Sequence, residues 1–182
     1  MPLALQLPKI GDGFVLRALT REDAADLANI EFDPDVKRFL ALPKKGKAEW
    51  IDAFDPETYD GWAIQVENCL AGRASILRCR RRGEGELAIV IARSFWGQHL
   101  GRKVAEMLIH AAFDELRAIA LMAKVHPEHR ASISLLREFR FRRRGVVDSS
   151  EHGQEGYFIY RLSRTTYNLS LRGAHRLSPV RP

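Results

Sequence analysis

The sequence Glu84-Gly-Glu-Leu-Ala-Ile-Val-Ile-Ala-Arg-Ser-Phe-Trp-Gly-Gln-His-Leu-Gly101 is the centre from which the rest of the chain can be interpreted. Its segment from Leu87 to Ala92 is short, continuously apolar and rich in β-branched residues, which predicts a strand buried on both faces. After Gly97, apolar residues recur every fourth position as far as Arg117. They are Leu100, Val104, Leu108, Ala112 and Leu116. The pattern predicts a strand, a tight turn and an amphipathic helix that begins at the turn.

The turn between this strand and this helix has features of an anion site. A helix N-terminus presents unpaired N–H groups and a partial positive charge, so it attracts phosphate groups. Arg102 and Lys103 in the first turn add positive charge, which is unfavourable for the helix dipole unless an anion binds there. An ordinary connection between a strand and a helix fits the same pattern, and the residues alone leave both interpretations open.

Two motifs together resemble those of a known family. The first is Trp96-Gly-Gln-His-Leu-Gly101, and the second is Val125-His-Pro-Glu-His-Arg-Ala-Ser-Ile-Ser-Leu-Leu-Arg-Glu-Phe-Arg-Phe141. In this order and spacing they resemble the GNAT-type N-acetyltransferases that use acetyl-CoA. Within that family the chain looks most like the branch that acetylates the N-termini of ribosomal proteins. The resemblance covers about residues 11–163.

The resemblance implies a binding site for acetyl-CoA as the co-substrate. Main-chain groups of Val90 and Ile91 in the central strand would bind the pantetheine arm, and one of their N–H groups would face the thioester carbonyl as oxyanion donor. The pyrophosphate would lie on the amides of the turn, and the second motif would add further contacts. The implied turn residues are Trp96, Gly97, Gln98, His99, Leu100, Gly101 and Arg102, and those of the second motif are His129, Ser132 and Arg137.

The chain departs from the family pattern at four positions. His99 stands where the family has Gly, and its Cβ is expected to weaken phosphate binding without abolishing it. His129 replaces the usual Asn, and its imidazole retains a donor and an acceptor for the pantetheine amides. Arg140 replaces the Gly of a Gly-Phe pair, which implies a different helix end. Leu136 occupies the place of a tyrosine that protonates the departing thiolate in many members.

The catalytic assignments also come from the resemblance. Glu86 matches an acidic residue of the resembled branch, whose carboxylate would take the proton of the acceptor ammonium through water. Glu84 is a weaker competitor, and a solvated strand end is the alternative interpretation of Glu86. Ser132 would supply a proton to the thiolate, with a plain helix-surface hydroxyl as its alternative. Cys69 and Cys79 lack the spacing of a metal site and are expected to be reduced and structural.

The rest of the chain predicts the element order β-α-α-β-β-β-α-β-α-β-β, a mixed sheet of the α/β (α+β) class. The resemblance adds that the sheet is GNAT-like, mostly antiparallel, with six to seven strands and about four helices. Thr20 to Asp23 resembles a capping box that opens a helix, and Asn68-Cys69 indicates a hairpin. The acetyltransferase domain is expected to span residues 1–163. Residues 164–182 lack a sustained period, which predicts a flexible or partner-packed extension.

Composition limits the remaining possibilities. A length of 182 residues with 46% hydrophobic content is typical of one soluble domain. No apolar run approaches the ~18 residues of a membrane span, and the first residues lack the features of a signal peptide, so a cytoplasmic location is expected. The net charge of +6 comes mostly from arginine clusters around positions 78–82 and 137–144. Such clusters suit the phosphates of coenzyme A or a nucleic acid, and we expect nucleic-acid binding to vanish at physiological salt.

The sequence therefore predicts a metal-free N-acetyltransferase, monomeric or homodimeric, that acts on a primary amine such as a protein N-terminus or a small molecule. The acidic segment 48–60 either attracts a cationic amine or is an ordinary solvated helix and loop. A second hypothesis is a catalytically weak regulatory module on the same fold that binds acyl-CoA or nucleic acid. His99, His129, Leu136 and the arginine clusters favour this alternative.

Overall fold

The computed structural model describes residues 8–41, 46–59, 61–79, 83–147 and 156–175. Within these ranges the chain forms one eight-stranded sheet. The strands are β1 (Lys9–Gly11), β2 (Phe14–Ala18), β3 (Trp62–Val66), β4 (Cys69–Arg78), β5 (Glu84–Ile91), β6 (Ala120–Val125), β7 (Arg142–Val146) and β8 (Phe158–Ser163). Their order in the sheet is β1-β2-β3-β4-β5-β6-β8-β7. β5 and β6 run parallel, whereas every other neighbouring pair is antiparallel.

Six α-helices in the described ranges connect and cover these strands. They are α1 (Ala24–Glu31), α2 (Pro34–Lys37), α3 (Lys47–Ala53), α4 (Leu100–His110), α5 (Arg130–Glu138) and α6 (Arg164–His175). A π-helical turn, Ala111–Glu115, extends α4. Parallel strands require a crossover connection, and α4 supplies the one between β5 and β6.

Two apolar clusters lie on opposite faces of the sheet. Side chains alternate along a strand, so Trp62 and Ile64 face the larger cluster and Ala63 faces the smaller one. The larger cluster packs α4 and α5 onto the sheet. The smaller one packs α1 and α3 through Leu27 and Trp50. The helices before β3 therefore cover one face, and α4 and α5 cover the other.

The predicted fold class is confirmed, and most predicted elements are present. The capping box forms, because the Thr20 N–H donates to Asp23 Oδ2 at 2.8 Å, and a 3-10 turn leads into α1. The hairpin between β3 and β4 turns at Glu67-Asn68, one residue earlier than predicted. The sheet has eight strands rather than six to seven, because β1 pairs with β2 as an additional hairpin.

Burial differs along α5, where Ala131 is exposed and Leu136 is buried. Lys47 is the first residue of α3. Residues 42–45, 80–82 and 148–155 lie outside the described ranges.

The C-terminal extension differs from its prediction over residues 164–175, which form α6. Tyr167 anchors this helix, because its ring stacks on Phe113 with centroids 4.6 Å apart and only 4% of the residue is exposed. The hydroxyl of Tyr167 donates to Asp114 Oδ2 at 2.7 Å and lies 2.7 Å from His110 Nδ1. One buried aromatic residue thus holds a helix whose sequence has no strong period. The domain boundary at residue 163 and the state of residues 176–182 stay predictions.

A search of the described residues for a helix both long and apolar enough to cross a lipid bilayer finds none.

We expect Tyr167→Ala to lower the free energy of unfolding by roughly 3 kcal/mol or more, because it removes a large buried side chain and leaves a cavity. Urea denaturation measures this loss. Leu169→Ala on the same helix is the matched control, because Leu169 is 62% exposed and its truncation should change stability by less than ~0.5 kcal/mol. Equal, small effects of both substitutions would show that α6 does not pack on the domain.

Candidate active site

The site begins where β5 and β6 separate. The two strands pair over only three residues, from Glu84 opposite Ala120 to Glu86 opposite Met122. β5 continues to Ile91 and β6 to Val125, but the pairing does not. On its other edge, β5 stays paired with β4 throughout. A gap therefore opens between the two parallel strands, and the edge of β5 that faces it is not paired with β6.

Strand alternation identifies which main-chain groups face this gap. The Ala92 N–H donates to Ala71 O at 2.9 Å, so Ala92 and, two residues before it, Val90 direct their main-chain groups towards β4. The Val90 carbonyl lies so close to Gly72 that a Cβ there would sit 2.0 Å from its oxygen. Ile91 consequently directs its N–H towards the gap. Of the two residues predicted as oxyanion donors, the geometry favours Ile91 over Val90.

The turn that follows β5 has two residues in the left-handed region. Gly97 has φ 76° and His99, the N-cap of α4, has φ 58° and ψ 9°. A glycine adopts this conformation without steric cost, whereas in His99 the Cβ makes the conformation energetically unfavourable. The Trp96 indole N–H donates to Ile91 O at 2.9 Å, which ties the turn to the end of β5. The turn thus holds a left-handed conformation at His99 that glycine would adopt more easily.

Arg102 lies in the first turn of α4, but its side chain is paired with carboxylates. Its Nε donates to Glu138 Oε1 at 2.7 Å, and its Nη1 donates to Glu106 Oε2 at 3.2 Å. These two ion pairs offset the charge that was expected to favour an anion. The positive potential at the turn then comes mainly from the main-chain N–H groups of the helix N-terminus.

A cleft of about 780 Å³ joins the gap to this turn. It brings together ten of the thirteen predicted site residues: Glu86, Val90, Ile91, Trp96, Gly97, His99, Leu100, Gly101, His129 and Ser132. The other three, Gln98, Arg102 and Arg137, do not line it. Gln98 donates from its side chain to Ser94 O at 2.9 Å, and Arg137 is exposed on α5.

His129 has a structural role that limits the hydrogen bonds it can offer to a bound molecule. It is the N-cap of α5, and its Nδ1 accepts from the Ser132 N–H at 3.2 Å. The ring lies 4.1 Å from that of Phe39 and is half-buried. Burial lowers the pKa of His129, so the imidazole is neutral with its proton on Nε2. One donor, and no acceptor, remains for a molecule in the cleft.

The predicted acid–base residues occupy different environments. Glu86 is half-buried on the cleft wall, with its Oε2 3.4 Å from Lys124 Nζ. Glu84 is buried and accepts from Arg161 at 3.0 Å, outside the cleft, which removes it as a competitor. Ser132 lines the cleft near the buried Leu136, which has no proton to give.

Two tyrosines of the last hairpin have different surroundings. Tyr160 is buried in the larger cluster. Tyr157 also lines the cleft, and its hydroxyl donates to Phe39 O at 3.3 Å. Burial raises the pKa of Tyr157, so the phenol stays protonated and can hold the Phe39 segment against the last strand.

The sequence did not indicate several charged residues of the cleft, namely Arg38, Arg73, Lys124 and Arg130. In the sequence, nothing distinguishes these residues from ordinary solvated cations. The acidic segment 48–60, by contrast, contributes none of its described residues to the cleft wall. Its helix α3 packs on α1 through Trp50, and the carboxylates of that helix, Glu49 and Asp52, are exposed.

The lowered pKa of His129 predicts a pH dependence of stability. The unfolded histidine titrates near ~6.5 and the folded one lower, so the unfolded state binds more protons between these values. Stability should therefore fall as pH falls through that window. His129→Asn keeps an N-cap acceptor and should show a smaller drop in unfolding free energy between pH 7.5 and pH 5, measured by urea denaturation. An equal or larger drop in the variant would contradict a buried neutral imidazole.

Comparisons with known proteins agree with this geometry. A model of the acetyltransferase (GNAT) domain matches residues 14–142. The uncharacterized N-acetyltransferase p20 of Bacillus licheniformis is 23% identical over 147 residues, which cover 75% of this chain and 83% of that protein. Proteins of the family transfer acetyl groups from acetyl-CoA.

Solved structures show the same fold. A GNAT-family acetyltransferase from Bacillus anthracis aligns with a TM-score of 0.75 at 15% identity, covering 87% of this chain and 99% of that chain. RimJ of Mycobacterium smegmatis, in complex with CoA-disulfide, aligns with a TM-score of 0.67 at 14% identity, covering 88% and 89%. Since the family model spans well over half of its residues, this chain belongs to the GNAT acetyltransferase family.

Proposed function

We propose that this protein is an N-acetyltransferase that transfers the acetyl group of acetyl-CoA to a primary amine by direct attack in a ternary complex. The observation that carries the proposal is the gap between β5 and β6, which leads without interruption to the turn at the N-terminus of α4. An extended pantetheine arm needs main-chain partners along a strand edge, and its pyrophosphate needs N–H donors at one end. Both lie on the walls of one cleft.

The co-substrate would be held mostly by main chain. The Ile91 N–H would donate to the thioester carbonyl, and the amides of Gly97 to Gly101 would donate to phosphate oxygens. His129 would donate from Nε2 to a pantetheine oxygen. Gln98, Arg102 and Arg137 lie outside the cleft wall, so their side chains would meet only phosphates that project beyond it.

The chemistry then needs a neutral amine and a stabilised oxyanion. The amine nitrogen forms the new C–N bond as the C–S bond breaks, and the thiolate leaves with the electron pair. Glu86 would take the ammonium proton through water, and the neighbouring Lys124 keeps this carboxylate paired until an amine arrives. Ser132 would relay a proton from water to the thiolate, so that its own hydroxyl is restored. A thiolate with a pKa near ~8.5 is a tolerable leaving group even though Leu136 cannot protonate it.

The identity of the acceptor amine is the more specific part of the proposed function. The two motifs resemble those of the acetyltransferases of ribosomal-protein N-termini, and a protein N-terminus is therefore the acceptor that we propose first. Acceptor loops vary widely on one scaffold, so a small amine fits the same chemistry.

A second candidate is a regulatory module that binds acyl-CoA and has lost turnover. Leu136 in place of a proton donor and the cost of left-handed His99 favour it. Mass spectrometry of the purified protein for bound coenzyme A, followed by an assay of thiol release with a library of amines, separates the two. Binding with turnover supports the enzyme, binding without turnover supports the module, and the absence of both would overturn the proposal.

We expect Glu86→Gln to keep coenzyme A binding and to lower the rate of acetyl transfer by roughly 100-fold or more near neutral pH, as for a lost general base. The loss should shrink as pH rises, because an N-terminal amine (pKa ~8) or lysine-like amine (pKa ~10.4) is then already neutral. Rate profiles against pH for both proteins measure this.

Glu128→Gln is the matched control for this substitution, because Glu128 is an exposed carboxylate on the cleft wall without the position of Glu86. It should change the rate little. If Glu86→Gln turns over like the wild type across the whole pH range, Glu86 is only a solvated strand end, and the proton leaves by another route.

A further inference from the structure

Among the residues that the structure describes, the side chains of the cleft wall carry more positive than negative charge. Four of these residues are cationic, and two, Glu86 and Glu128, are carboxylates. The cations are Arg38, Arg73, Lys124 and Arg130. A polyamine acceptor would meet repulsion in such a cleft, because like charges are costly where solvent is partly excluded. The phosphates of coenzyme A would account for cations near the turn before α4, but Arg73 lies on another part of the cleft wall.

Arg73 lies beside the position proposed for acetyl transfer. It is in β4, directly opposite Val90 of β5, so its side chain leaves the sheet on the face covered by α1. Residues opposite each other on antiparallel strands have Cβ atoms about 5 Å apart. Arg73 therefore starts from the strand next to the one that carries the Ile91 N–H, and its side chain reaches the wall of the same cleft.

A buried network fixes the Arg73 side chain. Its Nε donates to Glu31 Oε1, and the same oxygen accepts from the Tyr59 hydroxyl at 2.9 Å. Glu31 is 1% exposed, and the ring of Tyr59 lies 5.5 Å from the guanidinium carbon. Burial works against the charged guanidinium, but the charges and hydrogen bonds of Glu31 and Tyr59 together outweigh it and raise the pKa of Arg73. Arg73 is thus a fixed cation.

The network leaves hydrogen-bond donors for a ligand. A guanidinium has five N–H donors in a planar fork, and Glu31 accepts one of those of Arg73. The side chain keeps 17% of its surface exposed and reaches the cleft wall. Donors held rigidly at a cleft wall match a carbonyl or carboxylate oxygen.

We propose that Arg73 is a specificity-determining residue that binds an oxygen on the carbon next to the acceptor amine, so that the acceptor is an α-amino acyl compound and not a polyamine. This inference rests on the proposed function, because it names the acceptor of that same site. Two sources present this chemistry, the carboxylate of a free amino acid and the first carbonyl of a peptide N-terminus.

The test compares acceptors that differ only in that oxygen. Alanine carries a carboxylate, alaninamide a carbonyl, and isopropylamine a methyl group in the same place. We expect substitution of Arg73 to lower kcat/KM by roughly tenfold to a hundredfold for the first two, the range of a lost charge-assisted hydrogen bond, and to leave isopropylamine unchanged. Ratios between variant and wild type cancel the different amine pKa values. A larger loss for alanine than for alaninamide identifies the carboxylate as the source.

The variant must not leave Glu31 as an unpaired buried charge, because that alone unfolds many proteins. We therefore use the double variant Glu31→Gln/Arg73→Met, with Glu31→Gln alone to separate the two effects. The matched control is Glu84→Gln/Arg161→Met, which removes an ion pair with a buried carboxylate that lies outside the cleft. The control should change the rates with all acceptors by the same factor.

Equilibrium dialysis of labelled alanine and alaninamide against the protein with coenzyme A provides a readout that does not need turnover. The wild type could bind these compounds without acetylating them, while the variant without Arg73 does not bind them. That result would support the inference and refute the proposed function. Acetylation with equal ratios for all three amines would refute the inference alone. If spermidine proves a better acceptor than alaninamide in the wild type, the inference is also overturned.

Discussion

The site depends on one constraint, the short parallel pairing of β5 with β6. Only three residue pairs join these strands, whereas β5 and β4 pair along the full length of β5. Main-chain N–H and C=O groups are obligatory hydrogen-bonding groups, so a strand edge left unpaired inside a sheet must face water or a ligand. Pairing with β4, which needs the close approach of Gly72, holds β5 in the sheet while its other edge is open. The helix N-terminus of α4 follows directly, so one segment supplies both kinds of donor.

Much of the main-chain structure around the cleft could be predicted, because β5 and α4 have clear apolar patterns in the sequence. β5 is a continuous apolar run, and α4 has an apolar residue at every fourth position. The point where β5 and β6 separate could not be predicted, since periodicity indicates strands but not how far neighbours stay paired. The helix α6 was missed for a related reason. Its packing depends on Tyr167, and one buried aromatic residue makes no periodic pattern.

The side chains of the site were harder to predict than its main chain. Main-chain donors need only a strand and a turn in the right order, so they survive changes such as His99 for glycine. Arg73, Glu31 and Tyr59 meet from β4, α1 and the segment after α3, at separations of 28 and 42 residues along the chain. In the sequence, each of these three residues could equally be an ordinary surface residue. Only the packing of α1 on the sheet brings the three together.

The location of the ion pair between Arg73 and Glu31 is itself an argument for function. Removing two charges from water costs several kcal/mol per ion, and apolar residues of similar size are often as stable in their place. A buried ion pair is therefore weak evidence for a role in stability. Arg73, however, reaches the wall of the cleft beside the proposed reaction centre, where apolar substitutes would bind no oxygen. Glu31 then has a clear task, because it holds the guanidinium in one orientation, so that the remaining N–H groups of the fork can donate to an oxygen of the acceptor.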